Sequence, residues 1–390
     1  MTDASSTLHP LERLPEEWRA WVTARRHPAY RGDQVFDWLH GRRVADPDRM
    51  TNLPAGLKRE LAAEGLAPPA LIAHVHRSSD GTRKLLVELA DTSRIETVLL
   101  PVSSSSEDGE DDDEDDVVAR EAQGHAAPTA SAARVSQCIS TQVGCAMGCV
   151  FCASGVAGLK RHLSAAEIVA QVWLAHEALE PDEALRNLVF MGMGEPLHNY
   201  DATARALRLL THSRGLGLSP RRITVSTSGL VPELDRFGTE FGGKVGLAIS
   251  LHQADDAKRS ALMPVNQRYP IATLLAAVRR YPMDRRRRVT IEYTLVAGQN
   301  DGDDDARRLG RLLAGMPVKV NLIPMNPIEH SRLGPPALPR VAEFQARLQA
   351  AGLLCFVRRR RGDDVAAACG QLVLAGERPN ARFVSRQPRG

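Results

Sequence analysis

The spacing of apolar positions predicts two differently built parts of the chain. Near the N-terminus, Val35, Phe36 and Leu39 recur at helical spacing, and residues 51–54 form a turn that opens a second helix through Leu61. We therefore expect residues 1–90 to form a small, mainly helical accessory domain that leads into a strand.

Two apolar, β-branched runs follow at residues 84–89 and 94–100. The short polar segment Asp91–Ser93 separates them, which is typical of a hairpin. Residues 91–101 are then predicted to be the strand that leads into the core of the protein.

From residue 135 onward, strand-like and helix-like patterns alternate. The predicted strands lie at residues 188–191, 223–226, 245–250, 289–295, 318–323 and 354–357, and the helices at 164–179, 202–210, 271–281, 304–313 and 341–351. This alternation predicts an α/β fold with a parallel sheet, here an incomplete barrel over residues 135–375. Barrel enzymes place their chemistry at the carboxyl ends of the strands. Residues 376–390 are expected to be a frayed tail.

Residues 102–134 differ from the rest of the 390-residue chain in composition. Serines are followed by nine acids between Glu107 and Asp116, and then by Ala, Gly and Pro. The segment has too few apolar side chains for their burial to offset the entropy lost on ordering. We therefore expect a disordered acidic insertion. Removing its nine negative charges from the net +3 leaves +12, which suits a polyanionic partner. Ordinary surface solvation is the alternative.

No apolar run is long enough to span a bilayer, and the first residues are polar rather than basic and then apolar. We therefore expect a cytoplasmic protein with no membrane partner. Reducing conditions there suit clustered thiols that must not pair as disulfides.

Three cysteines stand within eight residues, at Cys145, Cys149 and Cys152. A cubane iron–sulfur cluster normally takes four thiolates, so three leave one iron open for a ligand that is not protein. The alternative is a structural zinc site completed by Cys138 or a nearby histidine.

Small polar residues follow several of the predicted strands. They occur in Gly192–Pro196, in Ser226–Gly229, in Ser250–His252 and at Asn326. Taken singly, these segments could be a tight turn or helix caps. A further cysteine, Cys369, lies between glycines in a segment predicted to be a mobile loop, whereas Cys355 is an apolar strand residue expected to be inert.

Together these motifs resemble the radical S-adenosylmethionine (SAM) superfamily, including Phe151 before the third cysteine. Over nearly the whole length the chain resembles the bacterial radical SAM RNA adenine methyltransferases, specifically the dual-specificity group that methylates C2 of adenine in 23S rRNA and tRNA. This resemblance implies a partial (β/α)6 barrel joined to an N-terminal domain that helps to bind RNA. The cysteine triad would hold a [4Fe–4S] cluster. The implied SAM contacts are Gly194, Glu195, Ser226, Ser250, Leu251, His252 and Asn326.

The resemblance also implies the reaction. C2 of adenine is electron-poor and cannot attack the methyl group of SAM, but a carbon radical can add to it. One SAM methylates Cys369, and a second SAM yields the radical that removes a hydrogen atom from this S-methyl group. The resulting protein–RNA crosslink is resolved by Cys138, which forms a disulfide with Cys369, and Glu96 is the implied proton acceptor. The acidic insertion separates Glu96 from Cys138, unlike in most relatives.

The implied substrates are an adenine in the peptidyl transferase centre of 23S rRNA and the adenine 3′ of the tRNA anticodon. A flavodoxin-type electron donor and a monomeric state are expected with them. Basic residues at 160–162, 285–288 and 358–361 are candidates for phosphate contact, with solvated helix ends as the alternative.

Two other functions fit parts of the same pattern. One is the antibiotic-resistance relative that methylates C8 of the same rRNA adenine, although Pro196, Ser228 and Pro324 resemble the C2 group. The other is a non-catalytic iron–sulfur or zinc RNA-binding protein, which would have no use for Cys369.

Overall fold

A computed structural model describes residues 8–102, 133–284, 287–328, 331–358 and 361–372. Nearly all of the predicted acidic insertion and the whole predicted C-terminal tail therefore lie outside the described residues. The same holds for Arg285, Arg286, Arg359 and Arg360. No helix in the described ranges is long and apolar enough to cross a membrane.

Three short helices form the N-terminal part: α1 (Pro15–Ala24), α2 (Tyr30–Phe36, continued by a π-helical turn over Asp37–Gly41) and α3 (Ala55–Glu64). α1 was not predicted from the sequence. It packs closely on α2 at Gly32, where a Cβ atom would lie 2.4 Å from the backbone nitrogen of Arg19. Only glycine allows this approach.

Within the described ranges, ten strands form one mixed sheet. The strands are β1 (Ala70–Arg77), β2 (Arg83–Leu89), β3 (Arg94–Val102), β4 (Ala133–Cys138), β7 (Glu183–Phe190), β8 (Ile223–Thr227), β9 (Gly246–Ser250), β10 (Val289–Leu295), β11 (Val318–Pro324) and β12 (Leu354–Val357). They are hydrogen-bonded in this order. β1 to β4 pair antiparallel, and β4 to β12 pair parallel. The predicted hairpin of β2 and β3 and the predicted α/β class are thus confirmed.

Helices connect the parallel strands. They are α4 (Ala153–Ala157), α5 (Ala165–Glu177), α6 (Tyr200–Thr211), α7 (Val231–Phe241), α8 (Asp256–Leu262), α9 (Ile271–Arg280), α10 (Asp303–Leu313) and α11 (Leu338–Ala350). A separate two-stranded ribbon joins β5 (Gln142–Val143) to β6 (Arg161–His162). Ser164 and Glu167 cap α5 as a reciprocal pair, as their spacing predicts.

The sheet curves around an interior cavity of about 160 Å³. Side chains from β3 at one end of the parallel set and from β12 at the other line this same cavity, for example Leu100 and Phe356. The sheet is therefore an open barrel, and β4, which was not predicted, makes a seventh parallel strand beside the six predicted ones.

The proposed boundary at residue 90 falls between β2 and β3, which are two strands of one hairpin. Strands β1 and β2 thus belong to the same sheet as the barrel, although they lie within the segment assigned to the N-terminal domain. The division of the chain into domains stays a prediction.

Candidate active site

The cysteine triad lies between β5 and α4, at the carboxyl-end side of the barrel. A tight turn precedes it: Gly144 has φ +77°, and a Cβ atom there would lie 1.8 Å from the carbonyl oxygen of Gly158. The amide of Cys145 donates to this carbonyl at 3.1 Å, and the amide of Cys152 donates to the carbonyl of Cys149 at 3.2 Å. All three thiols line a second cavity of about 160 Å³.

Burial disfavours the deprotonated form of these thiols unless a cation is bound nearby. It raises the pKa of Cys145 to about 12, with the nearby Cys152 as the next cause, and it raises the pKa of Cys152 and Cys149 as well. A bound metal supplies the positive charge that holds thiols deprotonated. Among the described residues, no three His, Cys, Asp or Glu side chains converge on one metal ion. Three thiols around one cavity fit the donor set of an iron–sulfur cluster, in which each thiolate binds a separate iron.

Glu195 follows β7 and lies in the wall of the same cavity, buried except for 4 % of its surface. Its carboxylate accepts hydrogen bonds from the amide of Ser228 at 2.8 Å and of Leu197 at 3.1 Å. Burial raises the pKa of this carboxyl, and the hydrogen bonds from Ser228 and its neighbours oppose the rise. The arrangement suits a cationic ligand group such as the ammonium of SAM.

The glycines beside Glu195 let the turn pack closely against the rest of the protein, and Gly192 lines the cavity. A Cβ atom at Gly192 would lie 2.6 Å from Oγ of Ser140, and one at Gly194, where φ is +107°, would lie 2.6 Å from Cβ of Gln142. Both glycines therefore allow the turn to lie against the connection between β4 and β5. Gly194 also lines the cavity.

Three further predicted SAM contacts line the cavity at strand ends: Ser226, Ser250 and His252. Nδ1 of His252 accepts from the amide of Thr294 at 2.9 Å, and burial lowers the pKa of this histidine to about 3. His252 is therefore neutral. Leu251, by contrast, does not line the cavity: its side chain is fully buried in the core, and its amide donates to the carbonyl of Glu292 at 3.0 Å.

Asn326 and Cys369 meet at the centre of the site. Nδ2 of Asn326 donates to the carbonyl of Cys369 at 2.9 Å, whereas its buried Oδ1 accepts no hydrogen bond from any residue that the structure describes. An unsatisfied buried acceptor is costly and indicates a missing donor. Cys369 is exposed and lines both cavities.

Cys138 ends β4 and is buried. Burial raises the pKa of its thiol to about 12, and the thiol of Cys369 is the next contributor. Cys369, 231 positions further along the chain, lines both cavities, whereas Cys138 lines neither of them. Both are free thiols.

Glu96 is a buried strand residue and not a solvent-facing one. Its Oε1 lies 2.9 Å from Nζ of Lys84, and its carbonyl accepts from Oγ of Ser140 at 2.6 Å. Glu96 does not line either cavity. Sequence reasoning missed Lys84, whose only signal was its position at the start of the apolar residues of β2.

Sequence reasoning also missed Arg259 on α8, which is completely buried. Its guanidinium donates to the carbonyls of Leu251 at 2.9 Å, Ser228 at 2.9 Å and Ser250 at 3.0 Å, and to Oδ1 of Asn266 at 2.8 Å. Arg259 therefore fixes the ends of β8 and β9 where the predicted SAM contacts lie.

Several candidate phosphate-binding residues are engaged within the protein. Arg161 pairs with Glu167 and Asp91 at 2.8 and 2.7 Å, and Arg287 donates to the carbonyls at positions 243 and 244. Arg358 lines both cavities, 3.9 Å from Glu292.

Comparison with known proteins gives the same assignment. Residues 139–310 match the radical SAM superfamily, and residues 12–65 match the ribosomal RNA large subunit methyltransferase N-terminal domain. The chain is 63 % identical, over 97 % of its length and 98 % of the relative, to the dual-specificity RNA methyltransferase RlmN of Sorangium cellulosum. It is 45 % identical to a probable RlmN of Heliobacterium modesticaldum, over 92 % of this chain and 88 % of that one.

A solved structure extends the likeness to three dimensions. The crystal structure of a radical SAM methyltransferase from Sphaerobacter thermophilus has a TM-score of 0.81 and 42 % identity, covering 93 % of this chain and 98 % of that chain. The fold and the site thus define a SAM-dependent radical enzyme that methylates RNA. The chain belongs to the RlmN family of dual-specificity RNA methyltransferases. The chemistry of this superfamily uses a [4Fe–4S] cluster and SAM.

Glu195→Gln is expected to weaken SAM binding by about 10- to 100-fold, because the ammonium loses a charge-assisted partner while the side chain keeps its size. Calorimetric titration of the cluster-loaded protein with SAM measures the effect. Glu233→Gln on α7 is the matched control and should leave the Kd unchanged. An unchanged Kd in Glu195→Gln would remove this residue from the SAM site.

Arg259→Met should destabilise the protein by about 3 kcal/mol or more, because several buried acceptors lose their donor at once. Denaturant unfolding of the full chain measures the loss. Arg280→Met is the control: it breaks an exposed ion pair with Asp235 and should leave the unfolding midpoint nearly unchanged. Equal midpoints for the two variants would contradict the role given to Arg259.

Proposed function

We propose that this protein methylates C2 of adenine in 23S rRNA and in tRNA, with Cys369 as the residue that receives the methyl group and delivers it to the base. The observation that carries the proposal is the position of Cys369 where two cavities meet. One cavity is lined by the cysteine triad and by every predicted SAM contact except Leu251. The other is the barrel interior, and neither the cysteine triad nor Glu195 lines it.

Each group of residues has a separate proposed role. The triad would hold the cluster and leave one iron for SAM, with Glu195 and Asn326 as polar partners of the SAM amino-acid moiety. When bound, these groups supply a methyl group and a hydrogen-abstracting radical, from two SAM molecules per turnover. Cys369 would then be joined to adenine through its methylene carbon, which forms a carbon–carbon bond to C2 while the existing carbon–sulfur bond stays in place.

Two buried side chains are proposed to release the product. Glu96 would accept the proton that C2 loses when the ring regains its aromaticity, while the unpaired electron of the adduct would pass back to the redox cofactor. The carboxylate of Glu96 lies 2.9 Å from Nζ of Lys84. Cys138 attacks the sulfur of Cys369, which forms a disulfide and frees the methylated base. An external reductant, expected to be of the flavodoxin type, would restore the thiols. The enzyme is proposed to act as a cytoplasmic monomer.

The test is anaerobic reconstitution followed by mass spectrometry of digested RNA. Wild-type protein incubated with 23S rRNA fragments and tRNA should produce 2-methyladenosine in both. RNA in which the target adenine is replaced by guanine should stay unmodified. 8-Methyladenosine would move the chain to the C8 activity, and no methylated adenosine in either RNA would overturn the proposal.

A further inference from the structure

The segment that carries Cys369 is held on its C-terminal side by the site already described. The amide of Ala153, next to Cys152, donates to the carbonyl of Gly370 at 2.8 Å. Nε2 of Gln371 donates to the carbonyl of Pro327 at 2.9 Å. These contacts place Cys369 beside the cluster-binding segment, but they leave its N-terminal side to be fixed by something else.

The turn between β1 and β2, residues 78–82, holds that N-terminal side. The amide of Gly362 donates to Oδ2 of Asp80 at 2.9 Å, and the amide of Ser79 donates to Oδ2 of Asp364 at 3.1 Å. The two bonds are reciprocal, since each partner supplies one amide and one carboxylate. They join parts of the chain more than 280 positions apart.

The side chain of Asp80 is held in the orientation that this contact requires. Its Oδ1 accepts from the amide of Thr82 at 2.9 Å, which fixes the side chain within the turn. Burial acts to raise the pKa of Asp80, but the hydrogen bonds from Thr82 and Gly362 bring it down to about 2. The carboxylate is therefore ionised at neutral pH, and its bond to the reactive segment is charge-assisted.

Gly362 completes the fit. Its φ is +64°, and a Cβ atom would lie 2.7 Å from Cβ of Ala367 and 3.0 Å from Cγ2 of Thr82. A side chain here would be strained and would push the segment off the turn. Glycine is thus required for the docked position.

Lys84 makes a second connection from the same hairpin. It is 7 % exposed, and its Nζ lies 2.9 Å from Oε1 of Glu96 and 3.3 Å from the carbonyl of Ala366. One ammonium group therefore joins the proposed proton acceptor to the segment that carries the reactive thiol.

We propose that the β1–β2 hairpin is a docking platform that positions the Cys369 segment, with Asp80 and Lys84 as positioning residues. Docking follows from the contacts alone, whereas its effect on the reaction rests on the function proposed above. The hairpin would hold Cys369 between the two cavities and keep Glu96 in a fixed position relative to Cys369.

Hydrogen exchange of the cluster-loaded full-length protein tests the docking. In peptides covering residues 365–372, the amides of Val365, Ala367 and Gln371 are bonded within the segment. Asp80→Ala should accelerate their exchange by about tenfold or more, the factor for losing a hydrogen bond to a charged group. Asp91→Ala is the matched control, because Asp91 accepts from Ser93 in the neighbouring turn. Equal exchange in both variants would overturn the proposal.

A second measurement tests the effect on the reaction. Lys84→Met should lower the fraction of Cys369 that is methylated in a single turnover by about tenfold, with RNA affinity unchanged, and Lys84→Arg should recover most of it. A loss of RNA affinity, or equal losses in both Lys84 variants, would count against positioning. If wild-type Cys369 carries no methyl group, the proposed function fails, while the exchange result still decides whether the segment docks.

Discussion

Cys369→Ala is expected to abolish RNA methylation, by at least about a thousandfold, because the covalent carrier of the methyl group is lost. Cluster absorbance and SAM cleavage should persist, since the triad and Glu195 stay intact. The exposed thiol is not part of the hydrophobic core, so folding should be unaffected. Nucleoside mass spectrometry and deoxyadenosine release measure the two outcomes in one sample.

Cys355→Ala is the matched control for this variant. Cys355 is buried on β12, 2 % exposed, and burial raises its pKa to about 12, so it stays an inert thiol. Its replacement should cost some stability and leave methylation near the wild-type level. Normal product from Cys369→Ala would remove the carrier role from Cys369.

Cys138→Ala should trap the protein on RNA. Without the resolving thiol, the bond between Cys369 and the base has no nucleophile to break it, so the covalent complex should build up to a large fraction of the enzyme. Denaturing electrophoresis with labelled RNA reveals it as a shifted band, absent in wild type.

The double variant Cys138→Ala/Cys369→Ala separates this outcome from tight binding. It should give no shifted band, because the carrier thiol is missing as well. A band that persists in the double variant would show that another residue bonds to RNA. A single variant with normal turnover and no band would leave Cys138 without a resolving role.

Local patterns account for what the sequence could predict. The alternating apolar and polar residues at 289–295 and the capping pair Ser164 and Glu167 are local signals, and the structure has β10 and α5 there. The cysteine triad is equally local. Helix α1 was missed because its short apolar face, Trp18 and Val22, lies among charged residues.

The rest depends on partners that are distant along the chain. Nothing beside Arg259 in the sequence shows that it will be buried under the ends of β8 and β9. Likewise, the segment expected to be mobile because of its glycines is held by bonds to Asp80 and Ala153. Such contacts arise only when the sheet is assembled.

The pairing of β3 with β4 has a consequence for how this protein can vary. Val102 pairs with Arg134 where the parallel strands begin, and Val98 pairs with Cys138 at the opposite, reactive edge. Any extra sequence between β3 and β4 is therefore attached at the end of this strand pair that lies opposite to Cys138. Each doubling of such a connection costs only about 0.6 kcal/mol. The β3–β4 connection is thus a permissive place for evolution, or an engineer, to add a tag or a tether without moving a reactive atom.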